Sequence, residues 1–134
     1  MIVESSYLQP ARWAVLQESG VAVEVRKGDA FDPLAGVVRF DQAGERSVDL
    51  VIGKFTWQRK ILERAITPSG QSIPVVGAAD LILLKLYAGG PQDAWDIQQM
   101  LATEDRETLI VEVDEGLPDL NAEASALWRK ILAG

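Results

Sequence analysis

Val21, Val23 and Val25 alternate with Ala22 and Glu24, the two-residue period of a strand with one buried face. The period returns in Gly36-Val-Val-Arg-Phe40 and in Arg46-Ser-Val-Asp-Leu-Val-Ile52, on either side of Asp41-Gln-Ala-Gly-Glu45. That arrangement predicts a hairpin. Its second arm sets Val48, Leu50 and Ile52 on one face and Asp49, beside Val51, on the other. Ahead of these, Met1 to Val3 reads as a short apolar strand, followed by a polar link to Pro10.

Elsewhere the apolar period lengthens to that of helices. Trp13, Leu16 and Gln17 predict a first helix that stops at Gly20, and Phe55, Ile61, Leu62 and Ala65 a second. Ala78 to Ala88 and Gln92 to Ala102 predict a third and fourth, parted by Gly89-Gly90-Pro91. Between the second and third, Ile66 to Val76 carries Pro-Ser-Gly and predicts a small hairpin or two edge strands. The stretch 104–118 fits a helix ending at Gly116, the preferred reading, or a strand from Leu109 to Val113. In the last helix, capped by Asp119 or Asn121, Ala124, Leu127, Trp128, Ile131 and Leu132 form the apolar stripe. The expected fold is α/β in the α+β sense, with helices packed on a small, mixed and mostly antiparallel sheet.

With 134 residues, 48% of them apolar, the chain is sized for one domain over 1–134. Its sheet-containing part is expected over about 1–76 and its helical part over about 77–134. A net charge of −7 argues against a broad nucleic-acid surface, because phosphate binding needs an excess of Lys and Arg. Arg59, Lys60 and Arg64 are expected as a solvated helix face. With no cysteine and no histidine, disulfides, thiol nucleophiles, zinc centres and a Ser-His-Asp triad are excluded. A metal would have to be a hard ion on Asp and Glu. The apolar runs are shorter than a bilayer span, and Met1 to Pro10 has no basic start leading into an apolar stretch. The expected location is the cytosol, with no membrane partner.

One charge stands out against this pattern. Projected at about 100° per residue, Lys85 falls beside Ala78, Leu81 and Ile82 on an apolar helix. An ammonium there needs an anion nearby. Beyond the Gly-Gly-Pro break, Asp93 lies within the stripe of Ala94, Ile97, Met100 and Leu101, and Asp96 at its border. Lys85 with Asp93 or Asp96 is thus the expected inter-helix pair, set against the simpler reading of a surface lysine and a carboxylate serving a helix N-terminus.

The stretch Val-Asp-Leu-Val-Ile52, then a helix, then IPVVGAADLILLKLYAGGPQDAWDIQQML resembles the nucleotidyltransferase-like superfamily, related to minimal nucleotidyltransferases and AbiEii-type toxins. The resemblance covers roughly Leu16 to Leu101 and is strongest from Asp80 to Ile97. It implies a truncated nucleotidyltransferase-like fold with C-terminal helices. It also implies Asp49 as the third metal-binding carboxylate, Lys85 as the lysine for the nucleotide phosphates, and Asp93 or Asp96 as the acidic residue of the last motif. Magnesium and a nucleoside triphosphate are the implied cofactor and ligand.

The family's Gly-Ser turn and Asp-x-Asp pair are missing, and Ser69-Gly70 has the wrong order and place. Met1-Ile2-Val3 is expected to correspond to the residues just after such a pair, as though the chain starts inside the second strand of the complete fold. One carboxylate cannot hold two magnesium ions, so the expected protein is partial or degenerate, retaining nucleotide affinity or acting with a partner. The alternative is a non-catalytic interaction module, a homo-oligomer or one half of a toxin–antitoxin pair, with Trp57, Trp95 and Trp128 as candidate contacts. If 109–114 were a strand, Glu112 and Asp114 would share a face able to take a hard cation; on a helix they belong to its solvated surface.

Overall fold

Stretches rich in β-branched residues pair into one sheet in the computed structural model, which describes residues 2–3, 5–103 and 105–134. The strands are β1 (Ile2–Val3), β2 (Ala22–Lys27), β3 (Gly36–Asp41) and β4 (Val48–Ile52), in the order β1-β4-β3-β2. β2 with β3 and β3 with β4 run antiparallel, and β1 lies parallel to β4. The sheet is therefore mixed and mostly antiparallel, and the architecture is α+β. The chain forms two compact units, Met1–Leu62 and Glu63–Gly134.

In the first unit, alternation sends Val38, Leu50 and Ile52 to one side of the sheet, where they are buried with Leu8 from the 3₁₀ turn Ser5–Leu8. Tyr7, Trp13, Val23, Val25 and Phe40 pack around them. Trp13, from the 3₁₀ turn Pro10–Trp13, donates its indole N–H to the Tyr7 carbonyl at 2.9 Å and meets Phe40 edge-on at 4.9 Å. Gly36 is required by close approach, since a Cβ there would run into the Arg26 carbonyl and the Leu8 methyls. The first helix, α1 (Ala14–Glu18), is short and gives way at Gly20, whose φ is +89°. α2 (Thr56–Arg64) buries Trp57, Gln58 and Ile61. The Gln58 side-chain oxygen reaches back to accept the Lys54 and Phe55 amides at 2.6 and 3.0 Å, satisfying donors at the helix start.

The second unit contains α3 (Ala78–Ala88), α4 (Pro91–Thr103), α5 (Arg106–Gly116) and α6 (Ala122–Ala133). α3 packs against the other three, and Ile82, Leu83 and Leu86 on it are buried. Ile97, Leu101, Leu109, Val113, Trp128 and Ile131 are buried on the rest. Residue 104 lies outside the described residues; over the rest of the stretch the preferred helix is found, with Asp105 as its N-cap and its end at Gly116. Asn121 caps α6 by accepting the Ala124 amide at 2.9 Å, while Asp119 closes a 3₁₀ turn, Leu117–Asp119. The small hairpin or two edge strands expected over 66–76 reduce to one antiparallel bridge between Ile66 and Val75. Pro68 and Pro74 each lack the amide proton that a longer ladder would use. Among the described residues, no helix is long and apolar enough to cross a membrane.

Candidate functional site

Lys85 sits one turn before the end of α3, and its neighbours there are apolar. Gly89 ends the helix in the left-handed region, φ +70°, and donates its amide to the Lys85 carbonyl at 2.9 Å. Pro91 then opens α4 with a fixed φ and no amide to satisfy. This reversal returns the chain so that Asp93 and Asp96, three residues apart on one face of α4, meet the lysine. The Lys85 ammonium donates to Asp96 Oδ2 at 2.6 Å and to Asp93 Oδ1 at 3.3 Å. The remaining carboxylate oxygens are also used: Asp93 Oδ2 accepts the Gly90 amide at 3.2 Å, and Asp96 Oδ1 the Gln92 side-chain amide at 2.8 Å.

All three side chains are only partly exposed, between 21% and 28%. The hydrogen bond to Asp96 raises the Lys85 pKa above the ordinary lysine value, against the opposing effect of burial, with Asp93 adding to the rise. The bond from Lys85, helped by that from Gln92, holds the Asp96 carboxyl below the usual range. One ammonium faces two carboxylates, so the cluster carries an excess of negative charge. Chemically it is a clamp between two helices, and a phosphate approaching it would meet anions. Alanine at Gly89 would force a Cβ into the left-handed conformation that aims α4 and should cost about 1 kcal/mol, read as a lower thermal midpoint.

Asp49 lies in the first unit, on the face of β4 away from Leu50 and Ile52. The β3–β4 register sets it directly opposite Arg39, whose guanidinium binds both carboxylate oxygens at 2.7 Å. That bidentate bond lowers the Asp49 pKa and raises the Arg39 pKa. Both side chains remain solvent-accessible, 45% for Arg39 and 40% for Asp49. Glu24 and Arg26 on β2 form a further pair on this face, so it is a charged, solvated surface.

Lys85, Asp93 and Asp96 are thus brought together as the sequence suggests, and Asp49 is engaged by a residue that sequence reading passed over. Arg39 and Gln92 are the two omissions. Gln92 was findable from its place four residues before Asp96 on a helix. Arg64 binds Asp80, whose side chain is only 13% exposed, while Arg59 and Lys60 are exposed on α2. The cation reading of Glu112 and Asp114 falls with the strand it needed. On α5, Asp114 accepts the Trp128 indole N–H at 2.7 Å. Of the three candidate contact tryptophans, Trp57 and Trp128 are buried and Trp95 is exposed.

Among the described residues, no three acidic side chains gather in a way that could hold a metal ion. A single carboxylate already held by an arginine, and two that share a lysine, do not fit a magnesium centre by themselves. Compared with known protein families and with curated proteins, the sequence matches none.

Proposed function

We propose that this chain is an incomplete nucleotidyltransferase-like domain that acts with a strand supplied in line with β1. The observation that carries the reading is the parallel pairing of β1 with β4, in which Ile2 is level with Val51 and Val3 with Ile52. Continued upstream in the same register, that line runs alongside Leu50 and then Asp49. Residues level with each other on parallel neighbours point to the same side of the sheet. An Asp-x-Asp pair on such a strand, being two residues apart, would place both carboxylates on the Asp49 face. Three carboxylates together suit a hard divalent ion in a way that one does not.

Arg39 fits the same reading. Its pair with Asp49 is accessible to solvent, and exposed pairs are held weakly enough for a competing cation to displace. A displaced Arg39 guanidinium then has the planar fork suited to phosphate oxygens. In this reading Lys85 positions α4 and touches no ligand.

The test compares the chain with a version extended at its N-terminus by a strand whose Asp-x-Asp ends immediately before Met1, level with Asp49. Calorimetry with ATP and magnesium should show no magnesium-dependent binding by the chain alone. It should show binding by the extended chain, and loss of that binding on Asp49→Asn. An extended chain that gains nothing, or magnesium-dependent binding by the unextended chain that survives Asp49→Asn, overturns the proposal.

A further inference from the structure

β2 is the last strand of the sheet, bonded to β3 on one side and, among the described residues, to no strand on the other. Along such a strand the backbone groups of successive residues turn to alternate sides. Gly28, just past β2, donates its amide to the Ala35 carbonyl at 2.9 Å, whereas Val21, just before it, donates to the Leu16 carbonyl of α1 at 3.1 Å. The even-numbered residues therefore bond β3, and the amides and carbonyls of Val23, Val25 and Lys27 point to the side where the sheet ends. A row of such groups is a template for a further strand.

The side chains at this edge complement themselves. Val23 and Val25 are half-buried on the core face of the sheet, and Glu24 and Arg26 are exposed on the other. Two antiparallel copies of β2 keep both faces in line only when odd-numbered residues meet odd and even meet even. Centring the pair on Glu24, Arg26 or Lys27 sets two like charges directly opposite each other, and centring it on Val23 leaves Glu24 and Arg26 facing Ala22 and Gly20. Centring it on Val25 sets Glu24 opposite Arg26 of the second copy, twice by symmetry, with valine against valine between them. The same register carries the loop after Lys27 past the start of β2 in the second copy, where the Val21 bond ties α1 in place. Phe31 in that loop, 96% exposed, and Val15 on α1, 72% exposed, are the most exposed large apolar side chains among the described residues. They lie at opposite ends of β2, and antiparallel pairing brings those ends together.

We infer that β2 pairs antiparallel with β2 of a second copy of this chain, about a two-fold axis at Val25, so that the two sheets become one. Main-chain hydrogen bonds across the edge hold the copies together, and the charges fix the register. The bond that Glu24 and Arg26 make within one copy opens into a ring of four alternating charges. A second copy suits this edge better than an unrelated strand, because its pattern is its own complement under a two-fold axis. β1 lies at the opposite edge of the sheet, so the dimer leaves free the place that the proposed function gives to an added strand, and the two stand or fall separately.

Sedimentation equilibrium of the full chain, from micromolar to near-millimolar concentration, should show a monomer in equilibrium with a dimer. Hydrogen exchange at the Val23 and Val25 amides should slow as the concentration rises. Glu24→Arg and Arg26→Glu, both at exposed positions, should each raise the dissociation constant about tenfold, because two opposite-charge pairs become like-charge pairs. Mixed in equal amounts, these two variants should associate with each other about as tightly as the native chain does with itself, since every facing pair is again of opposite sign. Phe31→Ser should also weaken the dimer. A chain that stays monomeric throughout, a dimer that both charge reversals leave unchanged, or two variants that mix without associating overturns the inference.

Discussion

Replacement of Trp128 by alanine is expected to destabilise the protein by about 3–5 kcal/mol, read as a fall in the midpoint of urea unfolding. Trp128 is 1% exposed and is the largest of the fully buried side chains. On α6 it lies between Ala124 and Ile131 at positions i, i+4 and i+7, all three buried, so it anchors the face by which that helix joins the others. Truncation leaves a hole that neighbouring helices can close only in part. The ring also carries a polar atom, and its N–H is satisfied across the helix pair by Asp114. A second substitution separates the two contributions. Asp114→Ala strands the buried indole N–H and should cost about 1–3 kcal/mol, whereas Asp114→Asn retains an acceptor and should cost much less. If Asp114→Ala were neutral, the hydrogen bond would be replaceable by water and the whole effect at Trp128 would be packing.

Much of the fold was legible because its elements keep a clean period and end on residues that enforce a stop. Gly77 and Gly89 bracket α3, and the predicted limits Ala78 and Ala88 are those found. The stretch 104–118 was harder because Leu109, Ile110, Val111 and Val113 crowd together, which suits a buried strand as well as a helix. The tertiary structure separates them: Leu109 and Val113 are buried four residues apart, while Val111 is 59% exposed. The site shows the same limit at one remove. The Lys85 cluster could be read from sequence because a tight turn fixes which faces of two adjacent helices meet. Asp49 could be placed on the right face but not with its partner. A hairpin pairing Phe40 with Arg46 would set Asp49 opposite Val37, whereas the observed pairing of Phe40 with Val48 brings Arg39 across. A register shift of two residues preserves the face and changes the neighbour, so alternation alone cannot find it.

Lys85→Met is the substitution that most directly separates a clamp from a phosphate-handling lysine. It removes the ammonium from two partly buried carboxylates and leaves them facing each other, at an expected cost of roughly 1–3 kcal/mol, between the values typical of exposed and of buried pairs. Restoring neutrality should recover much of that loss, so Lys85→Met combined with Asp93→Asn and Asp96→Asn should be more stable than Lys85→Met alone. The pH dependence has a defined sign. Asp96 has a folded pKa below its ordinary 3.8, so its contribution is fully present above that value and is lost as pH falls through the folded pKa. Lys85 has a folded pKa above its ordinary 10.5, so its contribution is fully present below that value and is lost as pH rises through the folded pKa. The stability difference between the native chain and Lys85→Met should therefore be flat across neutral pH and should shrink at both extremes. Urea midpoints at about pH 3, 7 and 11 measure it. A Lys85→Met chain as stable as the native one at neutral pH, or a difference that does not change with pH, would mean that the lysine does not hold α3 to α4, and a role toward a ligand would then be its better explanation.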